Sequence, residues 1–180
     1  MKNLTRLSVV GVMGSSREPH RERSRQVGEW VARSGYHLLT GGGTGVMAAV
    51  SEAFVNVEDR VGIAIGIIPG SSEQGSGHSP HGYPNPWIEV AIKTHLGQVG
   101  IDGEGALSRN HLNVLSSDVV VVLPGAEGTA SEARLTLRYG TPCVAYLNDR
   151  TDVPGLPSAI HVERTFERVA EFVSDMCSHN

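Results

Sequence analysis

Three glycine-rich segments of this chain each follow a short run of apolar residues. They lie at residues 9–16 (VVGVMGSS), 38–47 (LLTGGGTGVM) and 118–132 (DVVVVLPGAEGTASE). A strand that ends in a glycine turn and leads into a helix directs free backbone N–H groups, and the positive end of the helix, at the space above the strand. Joints of this kind bind anions, and three of them in one chain indicate a phosphorylated small molecule as the ligand.

Two ionisable residues lie close to these turns in the sequence. Arg109 falls in a predicted helix at residues 107–115, where it is either a surface arginine or a ligand for phosphate or carboxylate, which its planar guanidinium can bind through two hydrogen bonds. Glu132 also has two interpretations. It could contact the ligand and, in an enzyme, help to activate water or stabilise an oxocarbenium-like sugar. Alternatively, Thr129 and Glu132 match the S/T-x-x-E pattern of a capping box.

The ligand is expected at the carboxyl ends of the strands, where the three turns should converge on one crevice. The predicted ligand contacts are Gly14, Ser15, Ser16, Arg17, Gly41, Gly42, Gly43, Thr44, Gly45, Arg109, Asn110, Pro124, Gly125, Ala126, Glu127, Gly128, Thr129 and Glu132. Residues 15–17 could instead cap the first helix. If the protein is a hydrolase, Arg109 and Glu132 are its catalytic residues. No metal site is predicted, because His78 and His81 lie in a Gly/Pro-rich loop that positions ligands poorly.

Strand-like and helix-like segments alternate along the whole chain. The predicted strands lie at residues 7–13, 36–40, 61–68, 87–92, 118–123 and 143–147, and the predicted helices at residues 21–34, 46–55, 107–115, 129–139 and 166–176. Such alternation is typical of an α/β fold with three layers, in which helices cover both faces of a mostly parallel central sheet. We therefore predict one Rossmann-like domain over residues 1–180.

The composition, and the absence of some well-known motifs, exclude several classes of function. A formal net charge of −4 gives no basic field, so nucleic acid is not an expected partner. No apolar run approaches the roughly 20 residues that span a bilayer, and no secretion signal is visible, so we expect a cytoplasmic protein without a membrane partner. The phosphate-binding motif G-x-x-x-x-G-K-[ST] is absent, and the turn at residues 41–45 lacks the third small residue and the later acid of a dinucleotide site.

Two of the glycine segments, together with Arg109, match a known family pattern. The segment TGGGTGVM at residues 40–47 is similar to the motif GGG-x-G-hydrophobic-M, and PGAEGTASE at residues 124–132 is similar to PGG-x-GT-x-x-E. The chain therefore resembles, from about residue 7 to residue 147, the Rossmann-like superfamily that includes the LONELY GUY cytokinin-activating phosphoribohydrolases, long mislabelled as lysine decarboxylases. The resemblance implies a phosphorylated ligand and an arginine from the preceding helix at the site.

Three features separate the chain from the hydrolase branch of that superfamily. Asn110 follows Arg109 where the hydrolases have lysine, and Ala126 replaces the second glycine of PGG. The segment at residues 85–97 resembles the branch that contains the molybdenum cofactor carrier proteins. That resemblance implies that the crevice binds the molybdenum cofactor, a phosphorylated pterin, for storage, protection or delivery. The alternative is a LONELY GUY-type phosphoribohydrolase that cleaves a nucleoside 5′-monophosphate, and a weaker one is a nucleotide-sensing module.

The helices predicted at residues 107–115 and 129–139 carry apolar side chains together with His111, Arg134 and Arg138. A mixed face of this kind is suited to self-association. The superfamily resemblance implies the same, since its members assemble through the helices that flank the site. We therefore predict a homo-oligomer, either a dimer or a tetramer.

Overall fold

The structure, a computed structural model, describes residues 6–71 and 79–178. Its centre is one seven-stranded sheet. The strands are β1 (Val9–Met13), β2 (His37–Thr40), β3 (Ala64–Ile68), β4 (Val90–Lys93), β5 (Val119–Val122), β6 (Cys143–Tyr146) and β7 (His161–Glu163). Their order is β4-β3-β2-β1-β5-β6-β7, and every neighbouring pair is parallel. The predicted α/β fold is confirmed, and the sheet is entirely parallel among the described strands.

In the part of the chain that the structure describes, five α-helices cover the two faces of the sheet. They are α1 (Arg21–Arg33), α2 (Val46–Val55), α3 (Asn110–Leu115), α4 (Glu127–Tyr139) and α5 (Phe166–Cys177), with short 3-10 helices at Gly100–Asp102 and Arg150–Asp152. On one face α1, α2 and α5 form a core with side chains such as Val31, Phe54 and Val173. On the other face the core includes Ala130 and Ala133 of α4, with Leu112 of α3 packed against it.

The apolar run of β5 shows why this sequence forms a central strand. All four of its valines are buried; Val119 and Val121 point into one core, and Val120 and Val122 into the other. A strand with cores on both faces reads as a continuous run of β-branched residues. After β4 the chain returns to place β5 beside β1, so the strand order reverses between these two strands. Ligands of such sheets bind at this reversal.

The structure differs from the sequence prediction at several element ends. Strand β7 was not predicted, and β4 begins at Val90 rather than residue 87 and is exposed along its length. Helix α3 begins at Asn110, not residue 107, because Ser108 ends a turn in which its N–H donates to the carbonyl of Gly105. None of the described helices combines the length and the apolar character that crossing a bilayer requires.

Candidate functional site

A cavity of about 470 Å³ opens at the carboxyl ends of β1, β2 and β5, a volume in the range of small-molecule sites. Many of the predicted ligand contacts line it. These are Gly14, Ser15, Ser16, Arg17, Gly41, Arg109, Asn110, Ala126, Glu127, Gly128, Thr129 and Glu132. The other predicted contacts, which do not line this cavity, are Gly42, Gly43, Thr44, Gly45, Pro124 and Gly125. The three turns therefore converge on one crevice. The first turn contributes all of its predicted contacts, and the other two contribute part of theirs.

Hydrogen bonds join the three turns into one wall. The N–H of Ser15 donates to the carbonyl of Pro124 (3.0 Å), and the N–H of Val46 donates to the carbonyl of Ser15 (2.8 Å). The Thr44 hydroxyl donates to the carbonyl of Ser16 (2.6 Å). The turn after β1 is thus held between the other two, and the position of each turn depends on its neighbours.

The turn after β2 packs mainly against the turn after β1, and little of it lines the cavity. Gly45 has a φ of 65°, and its Cα faces the backbone of residues 15–17 so closely that a Cβ atom would overlap it. Asn85 packs on the outside of the turn, where its N–H donates to the Gly42 carbonyl and its side-chain amide to the Gly43 carbonyl. Only Gly41 of this turn reaches the cavity wall. Residues 42–45 are predicted ligand contacts that do not line this cavity.

Arg109 lies immediately before α3, and its side chain reaches into the cavity with only 5% of the residue exposed. Its guanidinium lies against the backbone of Gly41, where no space remains for a Cβ atom. The Nε and Nη1 atoms are buried and have no hydrogen-bond partner among the described residues. Because a buried charge is unfavourable without a partner, this arrangement fits an anion supplied from outside the chain. Arg109 is therefore not the surface arginine that the sequence left open.

Glu132 is also buried, with 8% of the residue exposed, and it lines the same cavity. The Asn113 side-chain amide donates to its Oε1 at 2.8 Å. Burial raises the pKa of the Glu132 carboxyl above its usual value, and the charge of Arg109 and the hydrogen bond from Asn113 oppose that rise only in part. A buried carboxyl near a cation and a cavity is a typical feature of functional sites.

Of the two interpretations that the sequence left open for Glu132, the capping box with Thr129 does not form. Helix α4 begins at Glu127 with Ala126 as its N-cap, and no side chain caps it. Ala126 has an extended backbone, so the helix starts two residues earlier than predicted. Glu132 is then the sixth helical residue and lies too far along the helix to reach the N-cap. Residues 15–17 do not cap α1 either, because that helix begins after His20 and the Ser15 hydroxyl instead accepts the N–H groups of residues 17 and 18.

Sequence reasoning missed Asn113, which lies four residues after Arg109. This i, i+4 spacing places two side chains on the same side of a helix and was the available signal. Asn113 is fully buried, and its carbonyl Oδ1 has no partner among the described residues. Asn110, which was predicted, lines the cavity and donates to the Ser131 hydroxyl at 3.2 Å. The two asparagines thus connect α3 to α4 beside the cavity.

The cavity also has an apolar side that the sequence did not indicate. Met13, Met47 and Val99 line it, as does Tyr83, from the segment between β3 and β4. The Tyr83 ring occupies the space beside Gly43 where a Cβ would otherwise stand. The sequence around Tyr83 does not predict that its ring lies in the cavity wall, because this depends on how the segment before β4 folds back over β2. The site therefore combines a charged end with an aromatic and thioether surface.

Among residues 6–71 and 79–178, no three histidine, cysteine, aspartate or glutamate side chains are grouped so that they could hold a metal ion. His81 lies in this described part of the chain, and His78 lies outside it.

Comparison with known proteins identifies the family. The model of the SLOG cluster4 family matches residues 7–170. This chain belongs to the SLOG cluster4 family. A curated relative of this SLOG cluster4 protein is an uncharacterised protein of Archaeoglobus fulgidus, 28% identical over 95% of this chain and 93% of the relative.

Two solved structures resemble the SLOG cluster4 protein over nearly all of its length. One is the molybdenum cofactor binding protein from the phototrophic bacterium Rippkaea orientalis, which is 27% identical with a TM-score of 0.71 and covers 96% of this chain and 99% of its own. The other is the Moco carrier protein from Chlamydomonas reinhardtii, 26% identical with a TM-score of 0.68, covering 97% and 99%. The resemblance of this chain to the molybdenum cofactor carrier branch is confirmed.

Proposed function

We propose that this SLOG cluster4 protein binds a phosphorylated small ligand, the molybdenum cofactor, and stores, protects or delivers it without cleaving it. The observation that carries the proposal is Arg109, a buried cation that has no hydrogen-bond partner among the described residues and faces a cavity of suitable volume. Two structural neighbours named as molybdenum cofactor binding and carrier proteins support this choice of ligand. The cofactor is cargo here rather than a participant in catalysis.

The two ends of the cavity suit the two ends of such a ligand. The ligand's phosphate would lie at Arg109 and at the start of α4, where Glu127 and Gly128 line the cavity and the first helical N–H groups have no acceptor within the helix. The flat pterin ring would lie towards Tyr83 and Met47, because an aromatic ring and a thioether offer polarisable apolar contact. Backbone N–H groups and one permanent cation then hold the anion.

A phosphoribohydrolase of the LONELY GUY type is the second candidate function. It is favoured by two observations: Arg109 and Glu132 line the same cavity, and burial raises the pKa of Glu132. A carboxyl with a raised pKa can act as an acid or base near neutral pH. In that case the protein would release the free base from a nucleoside 5′-monophosphate, and Glu132 would be required.

The proposal is tested by identifying what the purified protein carries. We expect mass spectrometry to find a phosphorylated pterin, and metal analysis to find molybdenum in a comparable molar amount. The Arg109→Ala variant, prepared in the same way, should carry far less of both. A nucleotide without molybdenum in the wild-type preparation would contradict the carrier function and favour the second candidate.

We further propose that copies of this chain associate through the surface around α3 and α4. Leu107, Leu115 and Leu137, which lie on or beside these two helices, are 56%, 57% and 46% exposed, and exposed apolar surface is typical of interaction sites. Light scattering at micromolar concentration should give at least twice the chain mass of 19.2 kDa. We expect Leu115→Glu to lower that mass and Val61→Glu, which changes an exposed valine elsewhere, to leave it unchanged. A monomeric wild-type protein would rule the assembly out.

A further inference from the structure

Arg109 and Glu132 line one cavity but do not form an ion pair with each other in the described part of the chain. The Arg109 guanidinium makes no hydrogen bond or ion pair with any described residue, and its Nε and Nη1 atoms are buried. Glu132 receives one hydrogen bond, from Asn113 to Oε1, and its Oε2 has no hydrogen-bond partner in the described part of the chain. A buried carboxylate free to turn would be expected to pair with a nearby buried guanidinium. The contact with Asn113 instead fixes the carboxyl from the side of α3.

The other charged side chains that line the cavity form an ion pair elsewhere or are exposed to solvent. On α4, Glu127 forms an ion pair with Arg134. In the turn after β1, Arg17 is exposed, and between β3 and β4, Tyr83 lines the cavity. Arg109 is therefore the buried charge that faces Glu132 among these groups. A ligand anion held at Arg109 would bring negative charge close to the Glu132 carboxyl.

Two negative charges close together in a buried site repel each other strongly, because the surroundings screen them poorly. A protonated carboxyl avoids this repulsion, and it offers one O–H donor while its carbonyl oxygen still accepts a hydrogen bond. The geometry at Asn113 suits that state, since Oε1 is occupied as an acceptor and Oε2 is left for the proton.

We propose that Glu132 binds the ligand anion as a neutral acid, with its Oε1 accepting from Asn113 and its Oε2–H donating to the anion held at Arg109. Asn113 is then a positioning residue that holds the carboxyl through Oε1 and leaves Oε2 for the anion. This inference rests on the proposed anion site and states the protonation state of Glu132 in it. The site binds an anion that accepts a hydrogen bond, and it releases that anion when Glu132 ionises.

The direction of the pH dependence follows from the burial of Glu132. Burial raises the pKa of Glu132 above the ordinary 4.5. Below the raised pKa the side chain is neutral and the anion binds; above it the side chain is charged and binding weakens, by up to about tenfold for each pH unit. The affinity for the anion should therefore fall as the pH rises through the pKa of Glu132 in the folded protein.

Sulfate is the suitable probe, because it stays a dianion from about pH 5 to about pH 9 and adds no titration of its own. Calorimetric titration of the full chain should show wild-type affinity falling across this range. In Glu132→Gln the amide is always neutral, accepts from Asn113 and donates to sulfate. We expect this variant to lose the pH dependence and, at the alkaline end, to bind sulfate about tenfold more tightly than wild type.

Two further measurements are needed. One tests whether Asn113 acts through Glu132, and the other tests whether the variants remain folded. Asn113→Ala should weaken sulfate binding in the wild-type background and have little further effect in Glu132→Ala, because Asn113 acts through Glu132. Denaturant unfolding should show the empty Glu132→Gln protein more stable than wild type near neutral pH. That gain should shrink as the pH falls towards 4.5, where ionisation of Glu132 no longer matters.

Weaker sulfate binding by Glu132→Gln than by wild type at every pH would overturn the inference, because it would show that the carboxylate itself is needed. A different result would count against the proposed anion site instead: sulfate bound equally by wild type and Arg109→Ala. The two failures are therefore distinguishable in one set of titrations.

Discussion

Replacing Arg109 with alanine is expected to weaken binding of the phosphorylated ligand by about 10- to 150-fold. A hydrogen bond to a charged group contributes about 1.5–3 kcal/mol, and each 1.4 kcal/mol changes the affinity about tenfold. Arg109 supplies the buried cation of the cavity, and the adjoining Gly41 backbone leaves space for its guanidinium and no side chain. Equilibrium binding of the isolated cofactor to wild type and variant measures the effect directly.

Two matched variants make this result specific. Arg109→Lys retains the positive charge but loses the planar arrangement of donors, so its affinity should fall between those of wild type and Arg109→Ala. Arg33→Ala removes an exposed arginine of α1, which pairs with Glu29 away from the cavity, and should leave ligand affinity unchanged. Wild-type affinity in Arg109→Ala would show that the anion does not lie at this guanidinium.

Replacing Gly45 with alanine is expected to lower the free energy of unfolding by about 2–6 kcal/mol. Two effects add. The backbone at Gly45 has a φ of 65° and a ψ of −129°, a conformation that L side chains rarely adopt and that costs about 1–3 kcal/mol. The added methyl would also overlap the backbone of residues 15–17, and overpacking costs about 1–3 kcal/mol more. Denaturant unfolding of the empty protein measures the loss.

Gly140→Ala is the matched control for that substitution. Gly140 also has a positive φ, 68°, at the end of α4, but no heavy atom lies within 4 Å of the position of an added Cβ. Only the conformational strain of this backbone should then lower the free energy of unfolding, by about 1–2 kcal/mol. Equal destabilisation by the two substitutions would mean that close contact between the turns after β1 and β2 does not contribute to stability.

The fold and part of the site could be predicted because their signals are local. The valines of β5 specify a strand buried on both faces, and the glycine turn that follows places residues 126–129 at a strand end regardless of the rest of the chain. Arg109 could be placed near the turns because it comes shortly before β5 in the sequence. These features need only neighbouring residues and the parallel arrangement of strands.

The features that the sequence did not indicate depend on contacts between distant segments. Tyr83 reaches the cavity because its segment folds over the turn after β2, with Asn85 bonded to that turn. The capping box does not form because the backbone at Ala126 decides where α4 begins, and the S/T-x-x-E pattern carries no information about that. Residues 42–45 match a phosphate-binding turn in sequence. In the structure, Gly45 packs against the turn after β1, and residues 42–45 do not line the cavity.

We propose that the cavity binds the molybdenum cofactor and does not cleave a glycosidic bond. The most direct test offers the purified protein the isolated cofactor and, in parallel, AMP and other nucleoside 5′-monophosphates. We expect saturable binding of the cofactor, slower decay of the bound than of the free cofactor, and no release of free base from any nucleotide. Release of adenine from AMP, at a rate abolished by Glu132→Ala, would contradict the carrier function and establish a hydrolase.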